Sequence, residues 1–198
     1  MDNNANDKIL AFLYASITDI QSSIRVNDTK AAVVIGILVI ALSNTGKIYL
    51  NFSKLHESLY CGPSQWQLWL LIILFLLTWL TSFIAAIRAV IAIHNPSSHV
   101  SATNHPSGTF YNGGLYDLGF GDAFVSRNVT SKVNLENYTN KLPDSIEAIK
   151  QELVFEQMKL AYIRDTKAVR LKWAYIFVLV WLASGFIGRA LFLFHCSK

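Results

Sequence analysis

The sequence predicts an all-α membrane protein: three transmembrane helices with cytosolic helical extensions and a small cytosolic layer. Hydrophobic residues make up 53% of the 198-residue chain and charged residues only 15%, a poor fit to a soluble domain. That apolar excess is concentrated. Asp, Glu, Lys and Arg are absent between Glu57 and Arg88 and again between Lys172 and Arg189, which are the gaps a bilayer requires. The stretches leading into the first and third apolar runs carry helical rather than alternating periodicity. Disorder, a secreted disulfide scaffold and a basic nucleic-acid binder are disfavoured, the last because the net charge of +4 is not gathered into an Arg/Lys-rich aromatic surface.

Residues 1–30 read as a cytosolic amphipathic helix, because Ile9, Leu13, Ile17, Ile20 and Ile24 recur at spacings that share one face. This helix is expected to run straight into transmembrane helix 1, residues 31–50, which has ten Val, Ile or Leu residues but is weakened by Ser43 to Lys47. An outer loop, 51–65, follows. Transmembrane helix 2, Trp66 to Ile87, has thirteen Leu, Ile or Phe residues among 22, a contribution of roughly −4 to −8 kcal/mol to insertion. It is expected to overrun through Arg88 to about His94, where Asn95-Pro96 ends it. Residues 88–172 form a cytosolic sensing segment ending in a long helix, whose start is marked by Pro143-Asp144 with Glu147 three residues on. That helix runs on into transmembrane helix 3, residues 173–194, where Arg189 is close enough to the end to snorkel. An outer tail, 195–198, completes the chain.

Orientation follows from Lys and Arg between the spans: thirteen fall in the N-terminal tail and the segment 88–172, and four on the far side. The N-terminus is therefore expected in the cytosol and the C-terminus outside, with no cleaved signal peptide. Cys61 and Cys196 then share the non-cytosolic side, where a disulfide is one alternative and two separate thiols the other.

Little in the sequence supports catalysis. Nucleophile-elbow, phosphate-loop and metalloprotease motifs are absent, so no enzyme, cofactor or metal is expected. His94, His99 and His105 are neighbours in sequence, but without a carboxylate or thiol partner such loops seldom hold zinc. A binding site is better supported. Phe110 and Tyr111 offer stacking faces, Asn112 an amide able to read base edges, and Arg88, Arg127 and Lys167 cations for an anion. The alternative is that the aromatics are the core of a small cytosolic layer.

An internal repeat stands at the boundary between extension and span. Asp28-Thr29-Lys30-Ala31 recurs as Asp165-Thr166-Lys167-Ala168, each ending a polar helix segment and opening an apolar one. The two copies either mark the same headgroup level or face one another as a clasp that a ligand opens, with Asp28, Lys30, Asp165 and Lys167 as the gate. The basic collar from Lys159 to Lys172 is ordinarily a contact with anionic lipid. Three spans with so few polar residues line no water-filled pore alone, so membrane activity implies a homo-oligomer.

The order of these features resembles the transmembrane effectors of the bacterial Pycsar antiphage system. The resemblance runs through the amphipathic helix ending in Asp28-x-Lys30-Ala31, the second span ending in Arg88, Thr109-Phe110-Tyr111-Asn112-Gly113, the Tyr138 segment, and a last helix with Lys167, Arg170 and Leu171. The chain departs from the family after the aromatic pair, where Asn-Gly-Gly stands in place of Gly-Asp. The resemblance implies a partner cyclase that makes cUMP or cCMP on infection. It further implies that this protein binds the nucleotide in the cytosol and impairs the bacterial inner membrane, causing abortive infection. Two alternatives are an effector gated by a cyclic oligonucleotide and a membrane scaffold subunit that gates nothing.

Overall fold

A computed structural model of the chain describes residues 3–43, 65–93, 96–100 and 134–196, with positions 46, 50, 53 and 131. Helix α1 spans Asn3–Ser43, α2 Gln65–Val90, α3 Leu135–Thr139 and α4 Ile146–Cys196, with a 3₁₀ turn at Pro96–His99. Among the described residues there is no strand. Three of the helices, α1, α2 and α4, are long and apolar enough to cross a membrane, so this is an all-α, multi-pass membrane protein. At 51 residues, α4 is about 76 Å long.

Local sequence explains the helix ends. Ser145 is the cap of α4: its hydroxyl accepts the amide of Ala148 at 3.2 Å, and its carbonyl accepts that of Ile149 at 3.0 Å. The capping residue is therefore Ser145, one position beyond the Asp144 expected from the Asp144/Glu147 spacing. Helix α2 stops at Val90, short of the expected His94, with a last bond from the Ile91 amide to the Ile87 carbonyl. Its final carbonyls are taken up by side chains of α4 rather than by further helical turns.

The chain divides into two compact units, the first Met1–Ser23 with Ile93–Arg164 and the second Ile24–Ala92 with Asp165–Lys198. Both α1 and α4 are unbroken across that division. In the first unit, Leu13, Ile17 and Ile20 of α1 are buried, as are Leu153, Phe155 and Leu160 of α4 and Val100 after the 3₁₀ turn. Lys150 donates to Asn6 at 2.8 Å and Gln157 to Ser16 at 2.7 Å, so polar stitches join the two helices along this seam. The expected apolar stripe is shorter than its sequence pattern: Ile9 is exposed, and Asn6 takes the buried place one turn earlier.

The second unit is a three-helix bundle. Its core is Ala31, Val34 and Leu38 of α1, Ala86 and Ala89 of α2, and Leu171, Ala174 and Trp181 of α4. Their spacings of three and four, extended by Phe75, Trp79 and Ser82 on α2, are those of knobs-into-holes packing. Small residues dominate because apolar side chains gain nothing by leaving lipid for protein, so close backbone approach and hydrogen bonds must hold the helices together. Ser82, fully buried, donates to the Ala174 carbonyl at 3.0 Å, and Trp79 Nε1 to the Leu38 carbonyl at 3.2 Å. Leu76, Leu179 and Phe186 point outward, the inverse of a soluble bundle and the pattern expected against lipid.

Candidate functional site

The second unit brings three chain segments together around one ammonium. Lys167 of α4 lies 2.5 Å from Asp28 Oδ1 on α1 and donates also to the Val90 carbonyl at the end of α2, at 3.3 Å. One turn further along α4, Arg170 donates to the Arg88 carbonyl at 2.7 Å. The last carbonyls of a helix have no intrahelical donors and carry the negative end of its dipole, so two cations here satisfy both demands. The Lys167 side chain is 5% exposed and that of Asp28 36%, so the ammonium is buried and only the carboxylate reaches solvent. The pair's Coulombic worth is then about 1 kcal/mol or less, whereas leaving the ammonium buried without its partner is the costlier state.

Helical geometry decides which members of the repeated Asp-Thr-Lys motif meet. Asp and Lys stand two residues apart, about 200° around the helix, so only one of each pair faces inward. From α1 it is Asp28 and from α4 it is Lys167, while Lys30 and Asp165 are exposed. The Asp28–Lys167 contact is thus a diagonal one between the two copies of the motif. Arg88 enters through its main-chain oxygen, with its side chain exposed. Phe110, Tyr111, Asn112 and Arg127 lie outside the described residues. So does Cys61, and with it the choice between a disulfide to Cys196 and two separate thiols.

The first unit holds a group of buried charges, among them Lys159, which was expected in the lipid-facing basic collar, and two acids to which the sequence reading assigned no role. Glu152, Glu156 and Lys159 of α4 are each 4% exposed. At about 100° per residue they occupy one strip roughly 60° wide, set well apart from Lys150 and Gln157, which meet α1. Lys159 lies 2.5 Å from Glu156 Oε2, but outside hydrogen-bonding geometry, and that oxygen is left without a hydrogen bond. The ammonium at that distance compensates the buried charge of the carboxylate. The Lys159 ammonium also sits 5.0 Å from the centre of the Phe155 ring. At one edge of the strip Tyr162 stacks on His99, with centroids 5.4 Å apart and planes 19° from parallel. Only their spacing of four and three hinted that they share a side.

Among the described residues, no three His, Cys, Asp or Glu side chains are grouped to hold a metal ion. Comparison with known families finds that a model of the Pycsar effector protein domain matches residues 12–194. No curated protein and no solved structure matches the chain.

Proposed function

The chain belongs to the Pycsar effector protein domain family and is thus an antiphage membrane effector, and on that premise we propose that it is gated by a cyclic pyrimidine mononucleotide. In this reading a partner cyclase makes cUMP or cCMP on infection, the effector binds it, and the bacterial inner membrane is impaired before phage are released. The N-terminus and the segment 88–172 lie in the cytosol, the C-terminus lies in the periplasm, and the active form is a homo-oligomer. Arg88, Phe110, Tyr111, Asn112 and Arg127 are the proposed ligand residues, and Asp28, Lys30, Asp165 and Lys167 the proposed gate.

The observation that carries the gating reading is the diagonal Asp28–Lys167 pair at the end of α2. Because the Lys167 ammonium is buried, a ligand that draws Asp28 away must be accompanied by movement of the helix that carries Lys167. The pair holds segments from all three spans at one level. Helices α1 and α4 both run without interruption through the residues of this pair, so a small rotation of either displaces its half of the contact. The test is dye release from liposomes containing the full-length protein: cUMP or cCMP should release dye within minutes, while cAMP should not. Intact vesicles with both pyrimidine nucleotides would overturn the reading.

A further inference from the structure

On the flank away from its buried charges, the first unit leaves an apolar face exposed. Lys150 bonds to Asn6 and Gln157 to Ser16, with numbers rising along both helices, so α1 and α4 run parallel there and Phe12 stands level with Val154. Around α4, at about 100° per residue, Lys150 and Gln157 separate the strip of Glu152, Glu156 and Lys159 from Val154 and Met158 on the other flank. Parallel neighbours turn toward a shared flank in opposite senses, and on α1 that flank carries Ile9 and Phe12. All four are exposed, Phe12 at 69% and the others at 43–44%. Together they offer a few hundred Å² of apolar surface, and a patch of that size rimmed by charge marks an interaction site.

Lipid is the wrong cover for it. Met158 precedes Trp173, where the third span is expected to begin, by fifteen positions, about 22 Å along the unbroken α4, whereas headgroups reach only about 5–8 Å beyond the hydrocarbon. A second copy of the chain fits. Copies inserted in one bilayer with the same topology carry this face at the same level and in the same direction, so the membrane supplies the alignment. A two-fold axis along the helices then sets α1 of one copy against α4 of the other, with Phe12 opposite Val154. The same operation brings the exposed Lys8 within about one turn of the exposed Glu147, opposite charges at the rim of the patch. Pairing α1 with α1 would put Lys8 against Lys8. The area is small for a dimer in free solution, a demand that confinement to one bilayer lowers.

We infer that Ile9, Phe12, Val154 and Met158 form a contact between two copies of the chain, closing a parallel four-helix bundle of two α1 and two α4 segments outside the membrane. The inference rests on the homo-oligomer and topology of the reading above, to which it gives a contact surface, and it needs no nucleotide.

The test is cross-linking between full-length copies in liposomes without nucleotide, in a Cys61→Ser, Cys196→Ser background. Two differently tagged variants, Phe12→Cys and Val154→Cys, are reconstituted together and treated with a short bis-maleimide. The dimer carrying both tags should form at least about tenfold faster than when Tyr14→Cys replaces Phe12→Cys, since Tyr14 is exposed on the opposite flank of α1. Phe12→Ser should weaken association roughly tenfold, read as energy transfer between labelled copies while lipid is added, with helix content unchanged. The absence of a cross-link in every pair overturns the inference and leaves another protein or lipid to cover the face. Equal rates for Phe12→Cys and Tyr14→Cys overturn it too, as does Phe12→Cys cross-linking to itself faster than to Val154→Cys. The nucleotide reading is decided separately by dye release: release without a cross-link rejects the contact alone, and a cross-link without release rejects the gating alone.

Discussion

Lys167 Nζ lies 2.5 Å from Asp28 Oδ1 and, on another side, 3.3 Å from the carbonyl of Val90, so one ammonium ties α4 to α1 and to the end of α2. Replacing Asp28 with Asn removes the charge but leaves an oxygen for the hydrogen bond. Replacing Lys167 with Met removes both contacts. Asp28→Asn should therefore raise nucleotide-independent dye leakage modestly, and Lys167→Met should raise it more. Exchanging the charges, Asp28→Lys with Lys167→Asp, should recover part of the pair and lower leakage below that of either single exchange, with a coupling of about 1 kcal/mol or less. Leakage in the double exchange equal to the sum of the singles would show that the two residues do not act together.

Arg88 offers a different contrast, because the bond it makes with Arg170 uses its carbonyl and not its guanidinium. Arg88→Ala keeps that carbonyl. Leakage without nucleotide should stay unchanged, whereas nucleotide affinity should fall about tenfold if the exposed side chain meets the phosphate. Arg170→Gln should do the reverse, raising basal leakage with little effect on affinity. Equal effects of both variants on basal leakage would place the Arg88 side chain in the clasp after all.

These contrasts mark where the sequence was legible. The second and third spans were, because a bilayer permits so few charges that the gaps after Glu57 and Lys172 have one reading, and the first rested on its ten Val, Ile or Leu residues. The level at which Asp28 and Lys167 meet was equally visible, since the repeated motif marks it twice. The diagonal pairing follows from the 200° separation of Asp and Lys within each copy, once it is known which helix face is inward. What the sequence did not reveal was Arg88 acting through its main chain, since any residue at the end of α2 would present the same carbonyl. The burial of Glu152, Glu156 and Lys159 escaped the sequence for another reason: charge spacing on a helix is the same whether water or protein covers it.

Gly185 on α4 faces Phe75 on α2, and a Cβ there would lie 3.2 Å from Phe75 Cε2. Phe75 also packs on Trp181 at 5.5 Å between ring centres, so the ring has limited room to withdraw. Gly185→Ala should be nearly neutral, because a shift of a few tenths of an ångström accommodates one methyl and Ala favours the helix. Gly185→Val should destabilise the bundle by about 1–3 kcal/mol. Thermal unfolding in detergent should show this, and adding Phe75→Leu should restore part of the loss. Equal melting of Gly185→Val and the unaltered protein would mean that α2 and α4 are further apart at this point.

Two indoles in the same bundle are expected to respond in opposite ways. Trp79 Nε1 donates to the Leu38 carbonyl across α1 and α2 at 3.2 Å, whereas Trp181 Nε1 is buried with no hydrogen-bond partner. Between membrane helices such a bond is worth about 0.6 kcal/mol on average and up to about 1.7. Trp79→Phe forfeits that bond together with some contact area. Trp181→Phe loses area too, but it also relieves a donor that burial has stripped of water, a penalty of about 1–3 kcal/mol. Trp79→Phe should therefore lower the melting temperature, while Trp181→Phe should leave it unchanged or raise it. A melting temperature that falls further for Trp181→Phe than for Trp79→Phe would mean that the Trp181 indole N–H has a partner in the membrane, and an acceptor from a second copy of the chain would then be the first place to look.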